Sequence, residues 1–70
     1  MIGFLRGDVA QISESQLTID VGGVGYRVNI PTSVRAALTP GERDVTVHTS
    51  LVVTDDALSL YGFMTVEERD

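Results

Sequence analysis

Leu17-Thr18-Ile19-Asp20-Val21-Gly22-Gly23-Val24-Gly25-Tyr26-Arg27-Val28-Asn29-Ile30 is the stretch that decides the fold class. Apolar side chains recur at every second position around the glycine pair: Leu17, Ile19 and Val21 before it, Val24, Tyr26, Val28 and Ile30 after it. A period of two puts each set on one face of an extended strand. Gly-Gly between two such runs predicts a tight hairpin, because primed turns need positive φ and glycine takes it without steric cost. Gly22, Gly23 and Gly25 are therefore hairpin glycines. No helix follows them and the six-residue dinucleotide fingerprint is lacking, so a phosphate cradle is the poorer reading.

Outward from the hairpin, the segment from Ile2 to about Ile12 is mixed in pattern, and Gly3 and Gly7 predict a strand that bends or bulges. Ser13-Glu14-Ser15-Gln16 is polar and makes the next turn. Beyond Ile30, Pro31 stops the ladder because it has no N–H, and Thr32 or Ser33 is placed to cap a short helix through Val34-Arg35-Ala36-Ala37-Leu38. Pro40-Gly41 ends that helix as a turn. Val45 to Val53 is rich in β-branched residues and alternates, with Val45, Val47, Leu51 and Val53 on one face. Thr54-Asp55-Asp56-Ala57 breaks it, and Leu58-Ser59-Leu60-Tyr61-Gly62-Phe63 supplies a fifth strand. Three strands, a short helix and two strands is the connectivity of an all-β, five-stranded OB-fold barrel with its helix between strands three and four. An SH3-like barrel or small sandwich is second choice, since the interposed helix argues against it.

Residues 1–64 form the barrel domain in this reading. At 65–70, Thr65 is a candidate N-cap with Glu68 three places on, a capping box with acids in the first turn. A helix that starts here without a body is expected to lead into a second domain.

A 70-residue chain holds one small domain, and at this size burial and conformational entropy nearly cancel, so a staple or a partner is expected. There is no cysteine to supply a disulfide. Oligomerisation is the expected support. The chain opens without a basic segment before a long apolar stretch, and no apolar run approaches the length that spans a bilayer, so neither secretion by that route nor a membrane span is expected. Formal net charge is -5, from ten acidic residues against five basic ones, all arginine. Nucleic-acid affinity comes mostly from cations neutralising phosphates, so a free-standing phosphate binder should have the opposite balance.

Asp55-Asp56 lies in the turn between the last two strands, where acidic pairs are commonly plain solvated turn residues. His48 is the sole histidine and lies mid-strand without a His or Glu at ligand spacing, so no metal or acid-base role is assigned to it. Tyr26 alternates with Val24 and Val28 and reads as core, while Tyr61 and Phe63 near the end of the barrel suit either core or subunit contact. Arg6 and Arg27 are candidates for DNA or subunit contact, although a salt bridge is the commoner fate of a surface arginine.

Three stretches occur together in a particular order and spacing: Met1-Ile2-Gly3 with Leu5-Arg6-Gly7, then Val21-Gly22-Gly23-Val24-Gly25-Tyr26, then Val52-Val53-Thr54-Asp55-Asp56-Ala57 leading to Leu60-Tyr61-Gly62-Phe63. In this combination the chain resembles the N-terminal domain of the RuvA family along its whole length. The resemblance implies a bacterial cytoplasmic protein of DNA recombination and repair, part of the DNA-damage (SOS) response. Its homotetramer would lie on an open four-way (Holliday) junction while a RuvB-type hexameric ATPase drives branch migration. It further implies that this domain is a non-catalytic subunit part needing no cofactor or metal, which builds the tetramer core and presents Asp55 and Asp56 as an acidic pin. Helix-hairpin-helix grip on duplex and recruitment of the motor belong to further domains in that family. A basic residue often precedes the acidic pair there; here the position holds Thr54, an uncharged candidate for DNA or subunit contact beside the pin.

An acidic pair from each of four copies, gathered at the axis, would act by repulsion. Two unit charges ~8 Å apart repel by ~0.5 kcal/mol in bulk water, and more where the dielectric is lower. Two rivals stand beside this reading. A generic OB-fold module for single strands or a protein predicts a basic groove with exposed aromatics, which the overall charge balance contradicts. A metal-dependent hydrolase would need Asp55, Asp56 and His48 together.

Overall fold

The computed structural model describes residues 3–69. Five strands, β1 (Phe4–Ile12), β2 (Gln16–Val21), β3 (Val24–Asn29), β4 (Val45–Val53) and β5 (Leu58–Phe63), are joined by α1 (Thr32–Ala37) between the third and fourth, and α2 (Val66–Arg69) follows. The strands close into a barrel in the order β1-β2-β3-β5-β4. This is the five-stranded OB-fold barrel expected from the alternation, with its helix where the connectivity placed it. Ile2, the expected start of the first strand, lies outside the described residues, as do Met1 of the opening motif and Asp70 of the tail.

The β2–β3 hairpin has the register its sequence dictates, with Leu17 opposite Val28, Ile19 opposite Tyr26 and Val21 opposite Val24. Gly22 and Gly23 take φ of 59° and 93°, which a primed two-residue turn demands. The Asp20 carboxylate locks the turn by accepting the Gly23 N–H at 2.8 Å. Leu17, Ile19 and Val28 are fully buried, whereas Val24, on the same alternation, is 52% exposed, so the tip of the hairpin extends past the barrel.

β1 pairs with β2 through its second half and with β4 through its first, and its register slips between Val9 and Gln11. The register shift falls at Ala10, while β1 changes partner from β4 to β2 after Gly7, where a Cβ would meet the Asp20 backbone carbonyl. The segment after α1 is tied to the slipped part: Gly41 N–H donates to the Val9 carbonyl (3.0 Å) and Val9 N–H to that of Glu42 (2.8 Å). Ile30, Val34 and Leu38 are buried and belong to the same core cluster as Val9 and Val45.

Two expectations need correction. The N-cap of α1 is Pro31, extended at φ -77° and ψ 167°, with no side-chain cap; Thr32 is already the first helical residue. Pro31 serves because its carbonyl accepts from both Val34 N–H and Arg35 N–H at 3.1 Å, and the Ser33 hydroxyl turns instead to Glu68 (3.5 Å). On β4 the inward phase is right, but it contains Thr49 (2% exposed) and runs out before Val53 (66% exposed). β3 and β5 meet at one register pair, Asn29 with Tyr61. Beyond it β4 and β5 continue as a two-stranded arm, with Leu51 opposite Leu60 and Val53 opposite Leu58.

After β5, Thr65 caps α2: Glu68 N–H donates to the Thr65 hydroxyl (3.2 Å), which donates in turn to the Glu68 carboxylate (3.3 Å), so the carboxylate of the expected capping box meets the hydroxyl. The Arg69 guanidinium reaches the Gly3 carbonyl at 3.0 Å and ties α2 to the start of β1. No helix among the described residues is long and apolar enough to cross a membrane.

Candidate functional site

β3 and β5 run parallel where they meet, and each begins at a turn, so the Gly22-Gly23 turn and the loop of residues 54–57 lie at the same end of the barrel. In that loop the Thr54 N–H donates to the Ala57 carbonyl at 2.9 Å. The Thr54 hydroxyl also donates to that carbonyl and accepts from Ala57 N–H, both at 3.2 Å. This double closure leaves Asp55 and Asp56 as the two central residues of a tight turn, both exposed. A threonine at the first turn position needs no neighbour to hold it there.

The arm below the loop is apolar on one face, and on the other Val52 lies opposite Ser59. Val53 (66% exposed) and Leu58 (71% exposed) face each other across it, and Val52 is exposed on the other side. Alternation puts Val53 on one face with Val45 and Val47; those two are buried in the core, but at Val53 the barrel has ended. Large exposed side chains in a row are the signature of a contact surface rather than of scattered surface residues.

The remaining candidates are dispersed. Arg6 lies opposite Thr46 and pairs with Asp44 at 3.7 Å across exposed side chains. Thr46 and Thr54 are eight residues apart on β4 and its turn, roughly 26 Å at ~3.3 Å per residue, so Arg6 is not beside the acidic pair. Arg27 is exposed on the outer face of β3 opposite Thr18, and Gly25 lies within β3 opposite Asp20. His48 sits half-buried on the outer face of β4, between Phe4 on one side and Phe63 on the other. It is seven residues from Asp55 along an extended strand, roughly 23 Å, which separates the three residues a hydrolase would have needed together. Among the described residues no group of three or more His, Cys, Asp or Glu is placed to hold a metal ion. Tyr26 is half-buried against the core, as expected, and Tyr61 is 41% exposed.

Fold and loop together define a small OB-fold module that carries an acidic turn on a projecting hairpin. The sequence model described as the RuvA N terminal domain matches residues 1–62, and the chain belongs to the RuvA family. It is 53% identical over 70 residues to the protein named Holliday junction branch migration complex subunit RuvA of Leptothrix cholodnii, covering 99% of this chain and 36% of that one. Proteins of the same name from Alkalilimnicola ehrlichii and Halothermothrix orenii are 49% and 43% identical over the whole of this chain, which covers 34% and 35% of them. The chain thus spans about a third of the length of the curated relatives it matches.

Proposed function

We propose that this chain is the assembly and acidic-pin domain of a Holliday-junction-binding subunit in a branch-migration complex. Residues 1–64 form the module, and 65–70 begin the helix leading to a second domain. The observation that carries the proposal is the four-residue turn holding Asp55 and Asp56 outward at the end of an apolar arm. In a homotetramer, Val53 and Leu58 would pack against neighbouring copies, bringing the carboxylates of four turns to one axis. Phosphates of exchanging strands are repelled there, so continuous duplex is rejected and an open crossover, whose strands turn outward, is accepted. The pin is a guide and needs no cofactor or metal, and the domain is non-catalytic. Thr54 keeps the turn closed, Arg27 is the candidate DNA contact, and Arg6, held by Asp44, is a candidate subunit contact. Grip on duplex arms and the contact with a RuvB-type hexameric ATPase fall to chain that the relatives have beyond the matched third, in the bacterial cytoplasm.

The test is the ratio of duplex to four-way-junction dissociation constants at one salt concentration, for the full-length protein and for the variant with Asp55→Asn and Asp56→Asn. Both positions are exposed in a turn, so stability should change by no more than ~0.5 kcal/mol. Affinity for junction should hold or rise, and selectivity over duplex should fall. An unchanged ratio makes the loop an ordinary turn. Loss of the tetramer makes the two aspartates structural.

A further inference from the structure

An open cleft of about 600 Å³ lies on the outer face of β1, β2 and β3, bordered by Gln11, Ser13, Gln16, Thr18, Arg27 and Pro40. Its position is the one where OB-folds take oligonucleotides, over strands two and three and beside the loop joining strands one and two. The slipped register of β1 near Ala10, with the segment before β4 bonded to Val9, builds one wall. β2 and β3 form the floor, where Thr18 lies between Gln11 on one side and Arg27 on the other.

The chemistry of this lining differs from that of the chain as a whole. Ten acidic residues against five arginines give the protein its net charge of -5, yet among the described residues no carboxylate lines the cleft. Its polar lining is the Arg27 guanidinium, which has no ion pair among the described residues, two primary amides and two hydroxyls, set beside the apolar Ala10, Ile12 and Pro40. Asp20 is on the same face, diagonal to Arg27, and its carboxylate is turned to the Gly23 N–H. Glu14 lies in the adjoining turn.

A row of side chains leads from the cleft to an aromatic ring. Gln16 donates to the Asn29 side-chain oxygen at 3.3 Å, the Asn29 amide donates to the Leu60 carbonyl at 3.2 Å, and Asn29 is in register with Tyr61, 41% exposed. Arg27 is two residues along β3 from Asn29, and with strands ~4.8 Å apart and a rise of ~3.3 Å per residue the Arg27 and Tyr61 backbone positions are roughly 8 Å apart, within the reach of one nucleotide. A cation for a phosphate, an aromatic face for a base and amides between them are the parts of a single-strand site.

We propose that this face binds an unpaired DNA strand, with a phosphate on Arg27 and a base stacked on Tyr61. The site is separate from the acidic turn and does not depend on its role. Carboxylates elsewhere on the chain do little to oppose binding here, since at 0.1 M salt charges more than ~10 Å away are largely screened, and a single guanidinium keeps the binding weak.

The test is an amide-shift titration of the isotope-labelled protein with a short oligothymidylate, a duplex of the same length and inorganic phosphate, repeated at several salt concentrations. Oligothymidylate should shift residues of β2 and β3 together with Tyr61, and bind more tightly than either comparison ligand. Tyr61→Leu should weaken it at least fivefold. Arg27→Gln should weaken it and lower the slope of log affinity against log salt by ~0.7, the value for one single-strand phosphate, and Arg27→Lys should restore the slope. Both side chains are exposed, and the amide spectrum of each variant reports its fold. Equal binding of duplex, an equal response to inorganic phosphate, shifts elsewhere, or indifference to both substitutions would each overturn the proposal. Junction selectivity of the Asp55 and Asp56 variant reads the other function independently.

Discussion

Gly62 is the residue at which the barrel closes. A Cβ built there would lie 2.6 Å from a Val47 methyl and 2.7 Å from a Val28 methyl, and both valines are fully buried on the strands that β5 joins. Neither side chain has room to give way, because each is held by the others of the core. Gly62→Ala is therefore an overpacking substitution, expected to cost ~1–3 kcal/mol. In a domain of this size 1 kcal/mol moves the melting midpoint by ~4–8 °C, so the variant should melt several degrees lower in a calorimetric scan. A midpoint unchanged from the parent would mean that β5 lies farther from β3 and β4 than these distances state. From sequence, Gly62 reads only as the middle of a Tyr-Gly-Phe triplet, since nothing local reports that a neighbour from another strand occupies its missing side chain.

The elements divide by how local their causes are. Hairpins, turns and the α2 cap were legible because each is decided within a few residues: Gly22-Gly23 by positive φ, Thr54 to Ala57 by a threonine that bonds across its own turn, Thr65 to Glu68 by a reciprocal cap. The helix cap was misplaced by one or two residues because threonine and serine compete with an extended proline whose carbonyl does the same task. Alternation on β4 was legible as a face, but the place where the barrel ends was not. That place depends on the one register pair between β3 and β5, residues far apart in sequence. The Arg27 cleft was hidden for the same reason, because its walls come from segments that only the closed barrel brings together. The turn allows a direct check. Thr54→Val removes both hydroxyl bonds and keeps the backbone bond, so about 0.5–1.5 kcal/mol per bond is the upper scale of the loss. The arm, projecting from the core, should absorb it locally. Amide exchange at Ala57 should quicken while global stability in denaturant barely moves. A global loss as large as the local one would mean that the arm and the barrel unfold together.

For the whole molecule, two features oppose each other in any self-association: an apolar arm with Val53 and Leu58 exposed, and a net charge of -5 on every copy. A core this small leaves little surplus stability, which favours covering the arm with a second copy. Like charges on the copies resist that approach, and salt screens them, shortening the Debye length from ~10 Å at 0.1 M to ~3 Å at 1 M. An association driven by apolar contact should therefore strengthen as salt is raised, whereas one held by ion pairs should weaken. Sedimentation equilibrium of the chain at millimolar concentration, in 0.1 M and 1 M sodium chloride as in the range just given, reads the sign directly. The companion variant carries Val53→Thr and Leu58→Thr, which keep β-propensity and change only exposed positions, so its melting temperature should stay close to that of the parent. It should sediment as monomer at both salts. Association that falls with salt would move the interface to the charged surface, and association that survives the double substitution would move it off the arm, leaving Asp55 and Asp56 without the neighbours that bring four turns to one axis.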